Sequence, residues 1–441
     1  MKKFIISALA LFGIIGMANA QELELPKYQR SSLHTVLLTT VEETVEGAGD
    51  FTAQLDDAWQ SYPFPAKYND HKISFTVADG GSPKGGLMAT INHFSKTGLE
   101  GLSLTDAKSL LDQLKSGKAY QEDLVNRINE INNKEKIGNQ LIRKWYNIQD
   151  DGSYDMNIIN ERAAYNANQA AIAEQELTQR GVQAILDQGE DLIANTFVTF
   201  SKLSMYNNEP IAAFIRDLTL YIGSLTPAPA NIAVLKGAEL LYNETKDGKT
   251  AQTTTALYQL VWDDEVINAF YSMFENGKIN MEKFNAYTFP MTLVGIDNQQ
   301  TIIAWTGNRT ESAVVKETII RNIDKMFLKL QKNYEVFAPV SQIISVNPLV
   351  ADMGTKEGLE GGEKFDLLEP VYNEKTNKFE WKSVGVVKVD KKQIWNNEYS
   401  LTDDGAIAED TSEIKGTVLS NNKKAVPGMV VRQVVKAKKK K

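Results

Sequence analysis

Apolar residues along this chain recur with the period of a strand in some stretches and with the period of a helix in others. Residues 33–41 are rich in β-branched and apolar side chains, and residues 72–78 alternate apolar with polar positions. Both stretches are therefore predicted to be strands. Glycine and proline crowd residues 79–86, which predicts a loop after the second strand.

Helical spacing dominates residues 105–195. Thr105 is placed to cap a helix that Gly117 ends, and a second helix is predicted before residue 135. Residues 137–145 carry a further apolar stripe, and a long alanine-rich helical region is predicted from Asp155 onward.

Strand patterns return after this helical region. Residues 196–200 and 254–262 are rich in β-formers and predict two strands. Residues 291–296 and 301–305 predict a hairpin, because the polar residues 297–300 between them suit a turn.

Two helices are predicted among these strands. Asp263 or Asp264 is placed to cap the first, and the second shows one apolar face from Ile319 to Tyr334. Because strands and helices interleave, the sequence predicts an α+β fold. Its body, residues 21–335, is predicted to be an α/β arrangement with a mixed sheet and long helices.

A less regular insert, at about residues 207–249, interrupts this body. Two apolar pieces, Ile211 to Leu225 and Ile232 to Tyr242, flank a proline-rich turn and predict a helical hairpin. Each piece contains charges and is shorter than the roughly 20 apolar residues that span a bilayer. Two roles stay open for the hairpin: packing on its own domain, or a surface element that contacts a membrane or a partner.

After residue 335 the pattern changes to short strands separated by turns. The predicted strands are residues 342–346, 364–371, 379–382, 385–389 and 429–435. Many short strands with regular turns close on themselves to avoid bare edges, so residues 336–436 are predicted to form a small antiparallel β-barrel. Residues 437–441 form a basic tail.

The N-terminus predicts the compartment. Lys2 and Lys3 precede an apolar run that ends in Ala18-Asn19-Ala20, the pattern that signal peptidase cuts. Residues 1–20 are therefore expected to be a signal peptide, and the mature protein is expected in the periplasm, at the outer-membrane periphery or released. The sequence has no cysteine, so packing without disulfides has to supply the stability.

Net charge limits the partners. The formal charge is −8, and loss of Lys2 and Lys3 with the signal peptide makes it −8 − 2 = −10. This charge disfavours non-specific binding to nucleic acid. With 42% hydrophobic and 24% charged residues, the composition is that of a folded globular protein.

Candidate catalytic and metal-binding residues are few. His34, His71 and His93 are the only histidines, and no two have the spacing that places ligands on one helical face. His34 and His71 lie at or beside predicted strands and could meet across a sheet, although ordinary packing is the simpler interpretation. No catalytic, cofactor-binding or metal-binding residue is assigned.

Four weaker patterns are also present. The glycine-rich residues 80–86 lack the spacing of a P-loop, and residues 147–158 lack the carboxylates of a calcium loop. Adjacent carboxylates such as Asp263 and Asp264 do not form the facing pair of a glycosidase. Seven aromatic residues could stack on sugars, although such residues usually fill cores: Trp59, Tyr62, Phe64, Tyr68, Trp381, Trp395 and Tyr399.

Parts of the chain resemble uncharacterised exported proteins of Gram-negative bacteria. The similar segments are residues 137–146, 160–167, 187–198, 356–369, 393–397 and 427–429. The layout, small α/β domains before a C-terminal barrel, is more distantly similar to curli-secretion and flagellar-assembly envelope proteins. The chain lacks the lipidated cysteine of the curli-secretion type, so the resemblance implies neither outer-membrane anchoring nor a pore.

Export without an assembled catalytic set predicts a non-enzymatic protein of the cell envelope. It is expected to be a binding or assembly factor for another envelope protein or for the membrane surface, with no cofactor and no nucleic-acid partner. The alternative is a glycan-binding protein or glycan hydrolase whose carboxylates are brought together only by the fold.

Overall fold

The computed structural model describes most of the chain. The described residues are 31–40, 45–65, 68–81, 87–116, 121–166, 189–304, 310–338, 340–373, 378–398, 415–426 and 429–434. Helices occur together with mixed and antiparallel sheets, so the predicted α+β class is confirmed. In this part of the chain no helix combines the length and the apolar character needed to cross a bilayer. The predicted signal peptide and basic tail lie outside the described residues.

Helices and strands alternate along the chain. The helices are α1 Thr52–Ser61, α2 Leu87–Thr97, α3 Leu104–Ser116, α4 Gln121–Lys134, α5 Ile137–Trp145, α6 Asn157–Asn166, α7 Asn208–Leu225, α8 Ala230–Thr245, α9 Asp264–Tyr271, α10 Met281–Ala286 and α11 Glu311–Asn333. The strands are β1 Ser32–Thr40, β2 Asn69–Asp70, β3 Val77–Gly81, β4 Thr196–Asn207, β5 Gly248–Leu260, β6 Phe274–Glu275, β7 Lys278–Ile279, β8 Met291–Ala304, β9 Val340–Val346, β10 Leu349–Ala351, β11 Lys364–Asn373, β12 Lys378–Lys388, β13 Thr417–Val418 and β14 Val430–Gln433.

The first sheet is mixed and has the strand order β2-β1-β4-β5-β8. β1 pairs in parallel with β4 on one edge and with β2 and β3 on the other, whereas β4 with β5 and β5 with β8 are antiparallel. Leu33, Val36, Leu37 and Leu38 of β1 are all buried. Three consecutive apolar residues of β1, Val36 to Leu38, are buried, as expected for a strand covered on both faces.

Helices cover both faces of this sheet. One face packs on α1 and α11, where Leu33 and Phe197 meet Ile319. The other face packs on α4 and α5, where Val36 shares a core with Leu141. The sheet is therefore the middle of three layers, and alternate residues of β1 enter different cores.

Two helices, α7 and α8, occupy the predicted insert and are joined by residues 226–229. α7 shares a core with α2 and α3 through Phe214 and Leu218. α8 lies on α7, and Ala238 is its one buried residue. A Cβ on Gly223 of α7 would lie 2.7 Å from Leu235 of α8, so the glycine lets the two helices approach closely.

The strands after residue 339 form a second sheet, antiparallel throughout, with the order β12-β11-β14-β9-β10-β13. Ile343, Leu367 and Val387 belong to its core. Within the described residues this order is an open path, so the predicted closed barrel is not found. The ends of the path approach each other at one isolated bridge, between Val389 and Leu419. The predicted domain boundary near residue 335 stays a prediction.

A charged contact joins the second sheet to α11. Lys356 Nζ lies 3.6 Å from Asp324 Oδ1, and Tyr62 Oη donates a hydrogen bond of 2.5 Å to the same carboxylate oxygen. Burial raises the pKa of Asp324 and lowers the pKa of Lys356. The side chains of Lys356 and Asp324 are only 20% and 15% exposed, so each charge depends on the other.

The hairpin predicted for residues 291–305 is wrong, because β8 is one continuous strand. Its polar middle is paired with threonines of β5. Thr254 Oγ1 donates to Asn298 Oδ1 at 2.6 Å, and Asn333 Nδ2 donates to Asp297 at 2.9 Å. These bonds satisfy polar side chains along the strand, so the polar run does not make a turn.

Two smaller predictions are also corrected. The strands predicted at 379–382 and 385–389 are one strand, β12, because a register shift beside Val384 interrupts the pairing without ending it. The cap of α3 is Ser103 instead of Thr105. Its Oγ accepts the amide of Asp106 at 3.1 Å and donates to that carboxylate at 2.6 Å.

Candidate functional site

The outer edge of β1 is interrupted between β2 and β3. Leu33 pairs with Asp70 and Leu37 pairs with Val77, so six residues, 71–76, lie opposite only three residues of β1. The additional residues leave the ladder and form a bulged segment at the edge of the sheet.

His34 fills the gap that this segment leaves. Its Nδ1 accepts the amide of Ile73 at 3.3 Å, so the proton is on Nε2, which donates to the carbonyl of Phe75 at 2.6 Å. The ring thus satisfies two backbone groups of the bulged segment. This explains why the strand predicted for residues 72–78 is wrong up to residue 76: a side chain takes the place of a pairing strand. Burial lowers the pKa of His34 to about 4.

His71 is a neighbour of His34 and is held in the same way. Its amide donates to Leu33 O at 2.9 Å, which places it beside His34 at the sheet edge. Its Nε2 donates to Leu141 O at 3.1 Å, and its Nδ1 accepts from Arg162 at 3.2 Å. Burial lowers the pKa of His71 to about 3, and the charge of Arg162 contributes to the same shift.

Both rings are therefore neutral at neutral pH, and both nitrogens of each ring already have partners. This supports the packing interpretation of the two histidines, because neither nitrogen pair is left to act as a base or a metal ligand. In the described ranges no group of three or more histidine, aspartate or glutamate side chains is placed to hold a metal ion.

Arg162 of α6 ties this edge of the sheet to the helices. Its guanidinium lies over the ring of Trp145, 4.9 Å from the centroid. It donates to Ser32 Oγ at 2.7 Å and to the carbonyl of Asp70 at 3.2 Å. Trp145 in turn donates to Thr196 Oγ1 at 2.8 Å. The Arg162 guanidinium thus contacts β1, β2 and α5 directly, and Trp145 links it to β4.

A cleft of about 460 Å³ opens beside the same edge. Its walls come from β1, from the end of α1 and the residues after it, from the bulged edge and from α11. The lining residues are His34, Thr35, Trp59, Gln60, Tyr62, Phe64, Pro65, Asp70, Lys72, Thr76, Val77 and Phe327. We call this the aromatic cleft.

Three aromatic rings give the cleft its character. Trp59, Tyr62 and Phe64 are half-buried, so each ring packs on the core under α11 and keeps part of its surface accessible. Tyr62 is nearly parallel to Phe327, with 6.4 Å between the ring centroids. The hydrogen bond from Tyr62 to Asp324 holds this ring in position.

Two charged side chains of the cleft, Asp70 and Lys72, lie at the interrupted edge of the sheet. Asp70 is the one acidic residue in the described lining, and both side chains are exposed. Aromatic surface with a few polar groups is the composition of many ligand-binding sites.

Most other candidate residues serve the fold. Tyr68 is buried and donates to Phe337 O at 2.5 Å, Trp381 packs on a small cluster of the second sheet, and Tyr399 lies outside the described residues. Asp263 caps α9 by accepting the amide of Val266 at 3.0 Å. Tyr68, Trp381 and Asp263 are not among the residues that line the cleft.

The calcium-like residues 147–158 form a hydrogen-bonded turn. Asp151 accepts from Ser153 and from Lys278, with 2.7 Å to the lysine, and Asp155 accepts from Asn147 at 2.6 Å. The Lys278 ammonium and the Ser153 hydroxyl hold the pKa of Asp151 below its usual range. The carboxylates are occupied by the chain itself, as expected for a turn before a helix.

No protein-family model matches the sequence, and a comparison with curated proteins finds no match. The cluster of aromatic residues between Trp59 and Phe64 is visible in the sequence. Nothing in the sequence marks Asp70, Lys72 and Phe327 as their neighbours, because the fold alone brings them together.

Proposed function

We propose that this chain is a non-enzymatic, exported binding protein of the cell envelope, and that the aromatic cleft holds its ligand. The observation that supports this most strongly is the grouping of Trp59, Tyr62 and Phe64 around an accessible volume that Asp70 and Lys72 border. Aromatic rings supply large contact areas at small entropic cost, and the flanking charges orient a polar ligand.

The lining favours binding over hydrolysis. Glycosidases use two carboxyl groups about 5 or 6.5–9.5 Å apart. Only Asp70 among the lining residues is acidic, and His34 is engaged by Ile73 and Phe75. The hydrolase alternative therefore lacks its second carboxylate within the described lining.

A saccharide is the ligand class that suits this cleft. A sugar ring has an apolar face, which an aromatic side chain can cover, and a rim of hydroxyl groups, which carboxylate and ammonium groups can bind. We therefore propose that the envelope component bound in the cleft is a glycan, and that the chain binds this glycan without hydrolysing it.

We further propose that the second sheet is a barrel closed between β12 and β13. Two hydrogen bonds support this closure: Asp390 N donates to Val418 O at 2.9 Å, and Ser420 N donates to Lys388 O at 2.7 Å. A closed sheet has no bare edge to pair with other chains. The proposed order of an α/β body followed by a barrel is supported by this closure and by the sequence pattern. Export and the similarity to envelope-assembly proteins are supported by the sequence alone.

The binding proposal is tested with soluble peptidoglycan fragments and a panel of envelope polysaccharides, titrated calorimetrically into the mature chain. We expect one of these probes to bind and Trp59→Ala to weaken it at least tenfold, about 1.4 kcal/mol. Tyr271→Ala is the matched control, because Tyr271 is an exposed aromatic residue outside the cleft.

Two results would contradict the proposal. One is that no probe binds, and the other is that Trp59→Ala and Tyr271→Ala bind as tightly as the parent. Turnover of a bound polysaccharide that Asp70→Asn abolishes would favour the hydrolase instead. Export is tested separately by N-terminal sequencing of the protein from the envelope fraction, where Gln21 is the expected first residue.

A further inference from the structure

The outer face of α8 groups three exposed large apolar side chains. Leu240, with 61% of its surface exposed, and Ile232, with 54%, are the two most exposed large apolar side chains in the described part of the chain. Leu241 on the same helix is 42% exposed. Grouped exposure of this kind marks an interaction surface.

Seven of the exposed residues of α8 form two adjacent rows at a spacing of four. One row is Ile232, Lys236, Leu240 and Glu244, and the other is Ala233, Gly237 and Leu241. Rows of this spacing are the ridges and grooves through which helices pack on one another. The outer face therefore has the relief of a helix-packing surface.

Gly237 lies in the middle of this face. A Cβ at this position would meet nothing within 4 Å, so the packing inside the chain does not require a glycine here. Glycine is unfavourable in the middle of a helix relative to alanine. The missing side chain leaves open space beside Leu240 on the outer face.

We propose that this face is a two-fold interface between two copies of this chain, with the α8 helices antiparallel across Leu240. Lys236 lies one turn before Leu240 and Glu244 lies one turn after it. An antiparallel arrangement centred on Leu240 places Lys236 opposite Glu244 of the partner subunit, and the symmetry produces this pair twice. A face that is complementary to itself is what a two-fold interface requires.

The charges of the face argue against a lipid surface as its occupant. Helices that lie on membranes carry lysine and arginine along the polar side. The row on α8 has one positive and one negative charge, and the whole chain has a net charge of −8. A second copy satisfies both charges, whereas an anionic membrane repels Glu244.

Sedimentation velocity of the mature chain, from micromolar to several hundred micromolar, tests the interface. We expect a concentration-dependent dimer and a monomer for Leu240→Glu. Lys236→Glu should raise the dimer dissociation constant at least tenfold, because the new carboxylate of each copy then faces Glu244 of the partner subunit. The double reversal, Lys236→Glu with Glu244→Lys, should return the constant to near the parent value.

Val386→Glu is the matched control, because Val386 is 52% exposed on β12 and should leave the dimer unchanged. Circular dichroism and thermal unfolding verify that each variant is folded. A parent chain that stays monomeric at all concentrations overturns the proposal. So does a double-reversal variant that dimerises no more tightly than Lys236→Glu. Binding of the monomer to phosphatidylglycerol vesicles that Leu240→Glu abolishes would assign the face to membrane and overturn it too.

Discussion

Mild acid should destabilise this protein through its two buried histidines. In the folded chain the pKa of His34 is lowered to about 4 and that of His71 to about 3, against an ordinary value of 6.5. Below pH 6.5 the unfolded chain therefore binds two protons that the folded chain excludes. The contribution of these two histidines to the free energy of unfolding is fully present above pH 6.5 and is lost as the pH drops toward 4.

The size of the effect follows from the two shifts. Each excluded proton lowers the free energy of unfolding by about 1.4 kcal/mol per pH unit between the two pKa values. For His34 and His71 together the loss between pH 7 and pH 5 is about 4 kcal/mol. The raised pKa of Asp324 acts in the opposite direction, since folding favours its protonated form. A loss of this size is a large part of the stability of a typical domain.

Urea unfolding at pH 7, 6 and 5 measures this loss. His34→Gln removes one of the two proton sites, so its stability at pH 7 should be lower than that of the parent, and its further loss by pH 5 should be smaller by about 2 kcal/mol. His93→Gln is the control, because His93 is exposed on α2, and its profile should follow the parent. A parent profile that is flat between pH 7 and pH 5, or a His34→Gln profile as steep as the parent's, would refute the reasoning.

Three further substitutions test the packing. Lys356→Met leaves the desolvated Asp324 carboxylate without its cation and should cost about 3 kcal/mol in urea unfolding at pH 8; an unchanged midpoint would contradict this. Gly138→Ala places a Cβ on α5 that overlaps the backbone carbonyl of Phe289. We expect the free energy of unfolding to fall by about 1–3 kcal/mol and the melting temperature to fall by several degrees. An unshifted melting curve would show that α5 moves away without cost. Asp263→Ala removes the cap of α9 and should cost about 1 kcal/mol, against a few tenths for Asp264→Ala in the same first turn; equal losses from the two would contradict the capping role.

The sequence predicts the strongly periodic elements well. α11 and the α7–α8 hairpin lie where apolar residues repeat at helical spacing over many turns. β4 and β5 are also predicted, although both strands are longer than the predicted segments, residues 196–200 and 254–262. In each case a local pattern and the tertiary packing favour the same structure, so local reasoning is sufficient.

Two errors have a common physical cause. The polar run Asp297 to Gln300 lies within β8 because threonines of β5 and Asn333 bind its side chains. Residues 72–76, the first part of the predicted strand, alternate apolar with polar positions, but the ring of His34 pairs with their backbone. Partners distant in the sequence satisfy these polar groups, and a single sequence does not show which partners those are.

The aromatic cleft is predictable only in part for the same reason. Trp59, Tyr62 and Phe64 stand close together in the sequence, whereas Asp70 reaches the cleft through the pairing of β2 with β1 and Phe327 through the packing of α11 on the sheet. The sequence thus offers the stacking surface, and the fold determines which polar groups accompany it.

Hydrogen–deuterium exchange of the mature chain with and without a solubilised envelope extract tests the central claim most directly. If the aromatic cleft holds an envelope component, amides of residues 59–65 and 70–77 should exchange more slowly with the extract present, and Trp59→Ala should abolish that protection. Unchanged exchange in both segments, or protection that persists in Trp59→Ala, would contradict the account.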